Sequence, residues 1–159
     1  IRDRLIKEII RAMEDVAPFA ELTPLADSRG SLQPPVDEPV AHAFGATYGG
    51  GSLMRKGLSY EPNPGNPVRA IHPGRVVFAD WLRGSGLLIV LDHGQGYMSL
   101  YAHNEALTVN SGDWVDAGEM LARSGTNSSD RNVGLYFEIR RNGEPQDPTA
   151  WLRKAPTQL

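Results

Sequence analysis

The nitrogen ligands this chain could offer a metal are four histidines, His42, His72, His93 and His103, and cysteine is absent. A zinc site needs three or four N, O or S ligands at about 2 Å. The histidine spacings match no short metal motif such as His-x-x-x-His. Ser59, Ser99 and Ser124 lie in no nucleophile-elbow pattern, and no triad spacing is evident. Nothing marks a pair of carboxylates for acid–base work. The run Gly134-Leu135-Tyr136-Phe137-Glu138-Ile139-Arg140 is different. Tyr136 and Arg140 are four apart, so on a strand they share a face, and Glu138 falls between them. Tyr and Arg are the types that most often anchor protein interfaces. Lys56 and Arg55 supply further cations upstream. Tyr136 reads either as a partner anchor or as a core aromatic. Arg140 reads either as a partner contact or as a strand-edge charge paired with Glu138.

The elements that must hold these residues read as mainly β. Ala70–Ile71, Val76–Leu82, Leu87–Asp92, Tyr97–His103, Met120–Arg123 and Leu135–Arg141 are strand-sized apolar runs. Arg83-Gly84-Ser85-Gly86 and His93-Gly94-Gln95-Gly96 are the turns between the middle ones. Asp147-Pro148 starts a last helical turn, with Asp as N-cap and Pro in the first position. The stretch Ser111-Gly112-Asp113-Trp114-Val115, followed by Ala117-Gly118-Glu119-Met120, has the turn-strand pattern of barrel-sandwich hybrids. The spacing predicts a small, strongly turned antiparallel architecture.

Three segments are expected. Residues 1–20 hold an amphipathic helix, in which Leu5, Ile6, Ile9, Ile10 and Met13 form an apolar stripe. It is read as the end of a coiled coil or as an arm covering a surface. A helix this short needs a partner to be stable in water. Residues 21–38 are a Pro-rich linker or extended wrap. Residues 39–159 are the β domain. The 159 residues carry a net charge of −3, which gives no reason to expect nucleic acid, and no apolar run approaches a membrane span. Starting at Ile1, the chain reads as a fragment or a processed form.

From about residue 36 to 153 the chain resembles the LytM-type zinc peptidases, which cut peptidoglycan cross-bridges. The landmarks come in order: Pro67-Val68-Arg69-Ala70, Gly74-Arg75-Val76-Val77, Asp92-His93-Gly94 and Ser99-Leu100-Tyr101-Ala102-His103. Gly112-Asp113, Ala117-Gly118-Glu119, Phe137-Glu138-Ile139-Arg140, Asn142-Gly143 and Asp147-Pro148 follow. In that family a His, an Asp four residues later and the second His of a His-x-His hold zinc. The resemblance places Arg55 at the first of these positions, Ser59 at the second and Tyr136 at the third. Gly134 takes the first His of His-x-His. Only His103 keeps its catalytic type. A protonated guanidinium has no lone pair to give a metal, so no zinc or other cofactor is expected.

Ala79-Asp80-Trp81-Leu82, Met98-Ser99-Leu100-Tyr101 and Leu135-Tyr136-Phe137-Glu138-Ile139-Arg140-Arg141 are similar to the EnvC-like murein hydrolase activators. These carry a degenerate LytM domain behind a coiled coil. The resemblance implies a non-catalytic periplasmic domain of a Gram-negative division septum. It would bind a zinc-dependent N-acetylmuramoyl-L-alanine amidase through Lys56, Tyr136, Arg140, Arg55, Ser59, His103 and Tyr101. It also implies recruitment by an FtsE–FtsX-type membrane complex through an upstream coiled coil, with peptidoglycan as a further partner. Two rivals are a metallo-endopeptidase with a relocated site and a plain peptidoglycan-binding module. A lipoyl-type carrier is set aside, because Lys7, Lys56 and Lys154 occupy no carrier-like hairpin tip.

Overall fold

The computed structural model describes residues 6, 24–48, 53–127 and 130–153. Twelve strands follow one another among these residues: β1 (Val40–His42), β2 (Thr47–Tyr48), β3 (Leu53–Met54), β4 (Leu58–Tyr60), β5 (Pro67–Arg69), β6 (Gly74–Leu82), β7 (Gly86–Gly94), β8 (Tyr97–Leu107), β9 (Trp114–Val115), β10 (Met120–Ser124), β11 (Tyr136–Arg141) and β12 (Glu144–Gln146). One ten-stranded sheet runs β1-β4-β11-β8-β7-β6-β9; β12 extends from β11, and β10 pairs with β5 and β8. All of its strand pairs are antiparallel. The mainly β, LytM-type architecture expected from the sequence is the one observed.

The long central strands are fixed by tight turns. Gln95 (φ 56°) and Gly96 (φ 83°) join β7 to β8, and Asn142 (φ 51°) and Gly143 (φ 82°) join β11 to β12. Two consecutive positive φ angles match the right-handed strand twist, which is why Asn-Gly suits such turns. The strand expected at Ala70–Ile71 is instead β5, ending at Arg69. The Ile71 amide donates to the Tyr101 hydroxyl (3.2 Å) rather than to a neighbouring strand. The final turn forms as expected, with the Thr149 amide donating to the Asp147 carboxylate at 3.0 Å.

The apolar run of β7 is buried on both sides. Ile89 and Leu91 face a main core with Val76, Tyr101, Phe137 and Ile139. Leu88 and Val90 face a second cluster with Val77, Met98, Leu100 and Ala102. Ile6, the one described residue of the expected N-terminal helix, is 3% exposed and seats in that second cluster. Burying one such aliphatic side chain stabilises by about 1.5–3 kcal/mol. The rest of that helix lies outside the described residues. Between residues 24 and 38 the chain is a packed wrap: Leu25, Leu32 and Val36 enter the main core. Leu32 also forms a parallel bridge with Leu152.

Candidate functional site

Side chains alternate along β11, so Tyr136, Glu138 and Arg140 share the face of the second cluster, while Phe137 and Ile139 fill the main core. The register sets Tyr136 opposite Ser59 of β4 on one side and Ala102 of β8 on the other. The Tyr136 hydroxyl donates to Glu138 Oε2 (2.5 Å) and Arg140 Nε donates to Glu138 Oε1 (2.6 Å). Arg140 also donates to the Gly143 carbonyl at 3.1 Å. β4 approaches this network closely: a Cβ added at Gly57 would lie 2.3 Å from the Phe137 carbonyl oxygen and 2.8 Å from Glu138 Cγ. Just before it, Arg55 is half-buried and Lys56 exposed.

His103 sits at an irregularity of the β7–β8 ladder with φ 67°. Its amide donates to the Ser85 carbonyl, and its own carbonyl accepts from Gly125. Its ring centroid is 6.3 Å from that of Tyr136. Bulges of this kind re-aim side chains beside functional sites.

The structure thus brings Ser59, His103, Tyr136 and Arg140 together, with Arg55 and Lys56 on the adjoining strand end. Two placements differ from the sequence expectation. Arg140 is 1% exposed, so it is no solvated edge charge; Glu138, equally buried, holds it beneath Tyr136. Tyr101 is fully buried on the opposite face, because it is an odd step from Ala102 along β8. Its phenol belongs to a separate chain of hydrogen bonds: Ile71 amide to Tyr101 oxygen, Tyr101 to Ser99 Oγ (2.8 Å), Ser99 to His93 Nε2 (2.7 Å), His93 Nδ1 to the Pro73 carbonyl (2.8 Å). Each member donates to the next only if His93 is neutral with its proton on Nδ1. Burial, with His72 beside it, pushes the His93 pKa down to about 4 against the pull of the Pro73 carbonyl. This Ser–His pair has the look of a nucleophile and base, yet Ser99 is 0% exposed and meets no substrate.

Zinc does not fit the positions the resemblance assigns. Arg55, Ser59 and Tyr136 offer a guanidinium, a hydroxyl and a phenol already donating to Glu138. The catalytic histidine position held by Gly134 has closed as well. A Cβ at Gly134 would lie 2.8 Å from both the Glu61 carbonyl oxygen and Pro62 Cα, so no histidine enters without moving backbone. Among the described residues, no cluster of three His, Cys, Asp or Glu has metal-holding geometry.

Sequence reading missed two parts of this face. One is its apolar floor of Val77, Leu88, Val90, Met98, Leu100 and Ala102. The unbroken run Leu87-Leu88-Ile89-Val90-Leu91 was the available signal for it. The other is the far edge, where register places Trp114, Arg75, Asp92, Met98 and Arg140 opposite one another across β9, β6, β7, β8 and β11. No sequence signal links Trp114 with Arg140; only the strand order does.

Comparison with known proteins agrees with this geometry. The model of peptidase family M23 matches residues 53–148. The murein hydrolase activator EnvC of Escherichia coli K12 is 41% identical over 128 residues, covering 80% of this chain and 30% of that protein. The murein hydrolase activator NlpD of the same strain is 36% identical over 119 residues, covering 74% and 30%. The chain therefore spans less than a third of these relatives. Among solved structures, lysostaphin from Staphylococcus simulans superposes with a TM-score of 0.65 at 29% identity, over 76% of this chain and 52% of that one. A zinc-containing peptidase from Vibrio cholerae gives 0.69 at 22% identity, over 82% and 41%, a likeness of fold. The family match covers more than half of the chain, and the relatives are similar along most of it: this chain belongs to peptidase family M23.

Proposed function

We propose that this domain is a non-catalytic activator of periplasmic zinc-dependent N-acetylmuramoyl-L-alanine amidases. The observation that carries the reading is a peptidase face with an apolar floor, on which the resemblance puts Arg55, Ser59 and Tyr136 at the metal positions and Gly134 at a catalytic histidine position. The relatives named murein hydrolase activators support it. The domain captures an amphipathic helix that otherwise covers the amidase active site. Capture shifts the amidase toward its open state by the difference in affinity for the two states. An apolar floor with an aromatic and cationic edge suits such a helix.

In this reading Lys56, Arg55 and Tyr136 touch the partner. Ser59, His103 and Arg140 hold Tyr136 in place, and Tyr101 stiffens β8 from behind. The amidase then opens septal peptidoglycan during daughter-cell separation, in the periplasm of a Gram-negative cell. An FtsE–FtsX-type complex recruits the whole protein through a coiled coil upstream. The seat of Ile6 on the floor supports one more step: the N-terminal stripe competes with the amidase helix. Deleting residues 1–20 should raise activation of a purified amidase; unchanged activation would remove the competition from the scheme.

The deciding experiment mixes purified amidase with this domain, parent against Tyr136→Ala, and follows dye release from labelled sacculi. Activation by the parent and its loss in the variant are expected. Dye release by the domain alone, together with stoichiometric zinc, would overturn the reading in favour of an endopeptidase. Sacculus binding without any effect on the amidase would leave a peptidoglycan-binding module.

A further inference from the structure

The groove face extends well beyond Tyr136. Trp114 on β9 is 56% exposed, and the Arg75 guanidinium lies 5.9 Å from its ring centroid. Neighbouring strands are about 4.8 Å apart, so the four steps from β11 to β9 span roughly 19 Å. The apolar floor that seats Ile6 reaches Met98, and Asp92 separates it from Arg75.

Arg75 differs from three other arginines of the sheet. Arg140 donates to Glu138 and Gly143, Arg69 to Gly118, and Arg123 to Gly65. Arg75 donates to no acceptor among the described residues, and its Nε is buried without a partner. Asp92 faces it across the ladder but accepts from the Gly94 amide instead. Burial pushes the Asp92 carboxyl up, and the Gly94 bond and Arg75 only partly offset that. A guanidinium with no hydrogen-bond acceptor among the described residues, beside an exposed indole, matches a planar carboxylate.

We propose that Arg75 and Trp114 form a second anchoring subsite at the β9 edge of the groove, which takes an aspartate or glutamate side chain of the docked helix. This rests on the amidase-helix reading of the groove. Trp and Arg are the types that concentrate binding energy in protein interfaces, and both stand beyond the end of the apolar floor. Trp114 is in register with Arg140, and Tyr136 lies four residues, about 13 Å, further along β11, so the diagonal from Tyr136 to Trp114 is roughly 23 Å. A helix covers it in about 15 residues at 1.5 Å each, and the carboxylate therefore falls about four turns from the residue that meets Tyr136. That spacing sets which helices fit, beyond the requirement for an apolar stripe.

The test measures the Kd of the purified domain for purified amidase by calorimetry. The variants are Trp114→Ala, Arg75→Gln, Arg75→Lys and Tyr136→Ala, each checked for an unchanged melting curve. Trp114→Ala and Arg75→Gln should each weaken binding by about tenfold. Arg75→Lys should restore little, because an ammonium lacks the fork. If Tyr136→Ala weakens binding while the Trp114 and Arg75 variants bind as the parent does, the subsite is refuted and the amidase reading stands. If the parent itself does not bind amidase, that reading falls and the subsite with it. If the Trp114 and Arg75 variants lose only sacculus binding in a pull-down, the carboxylate belongs to peptidoglycan, and the proposal is overturned.

Discussion

Two tyrosine-centred networks lie back to back across β8 and β11. On the core side, Tyr101, Ser99 and His93 are uncharged, and their chain ends on backbone at both the Ile71 amide and the Pro73 carbonyl. On the groove side, Glu138 and Arg140 carry charge, Arg140 ends on the Gly143 carbonyl, and the half-buried Tyr136 phenol donates to Glu138. The first contains a serine and a histidine in contact, the second neither. Chemical type alone would nominate the first, which is sealed from any substrate. What separates them is burial: every member of the first is sealed in the core, while the second includes the half-buried ring of Tyr136.

The largest effect should come from charging the groove network wrongly. Arg140→Glu puts a second carboxylate against buried Glu138 and removes its counter-ion. Breaking a buried pair costs about 3–5 kcal/mol, a large part of the stability of an ordinary domain. Urea denaturation should show the loss. The paired replacement Glu138→Leu with Arg140→Met should recover most of it, since apolar substitutes for a buried ion pair are often neutral. Such a result would assign Arg140 to support of Tyr136. A folded Arg140→Glu protein that merely fails to bind amidase would instead make Arg140 a contact residue.

The core network should break by acid. His93 titrates near 4 when folded, below the ordinary histidine value of 6.5. Between those values the unfolded chain binds a proton that the folded one refuses, so stability falls as pH drops through this window. Full stability holds above pH 6.5, and about 3 kcal/mol is lost by pH 4. Protonation also puts an N–H on Nε2 against the Ser99 hydroxyl that donates to it, which breaks the chain's direction. The variant His93→Gln should flatten this part of the stability curve. An unchanged curve would mean that the pH sensitivity resides elsewhere.

Much of this was legible in the sequence, and what was not has identifiable causes. The long strands β6, β7, β8 and β11 show as apolar runs between glycine turns, because such turns allow few other geometries. Strands β2, β3 and β9 have two residues each, shorter than one period of alternation, so no pattern announces them. The sharing of a face by Tyr136, Glu138 and Arg140 followed from period two. Their burial did not, since that depends on what packs above them. Tyr101 was grouped with Tyr136 by nearness to His103 in the chain, and one residue of strand register reversed its face. Trp114 opposite Arg75 depends on β9 returning to the edge of β6, which no local signal encodes.

A smaller effect tests how firmly the old catalytic-histidine position has closed. Gly134→Ala adds a Cβ against the backbone of Glu61 and Pro62. Overpacking of this kind costs about 1–3 kcal/mol, seen as a lower urea midpoint at unchanged slope. A stable Gly134→Ala protein would mean that the segment around Pro62 yields, and that the position is open to a side chain after all.

The smallest change separates what Tyr136 does for the network from what it does for a partner. Tyr136→Phe removes one hydrogen bond to Glu138 and leaves the ring. Glu138 keeps Arg140, so the cost should be near 1 kcal/mol, the usual net worth of one such bond. Tyr136→Ala removes the ring as well. If the ring is the anchor, Phe should activate amidase nearly as well as the parent, and Ala should not. If the hydroxyl reaches past Glu138 to the partner, Phe and Ala should fail alike while only Ala loses appreciable stability. Measuring melting and activation on both variants therefore tells an aromatic platform, like the core packing of Tyr101 turned outward, from a phenol that extends the groove network into the partner.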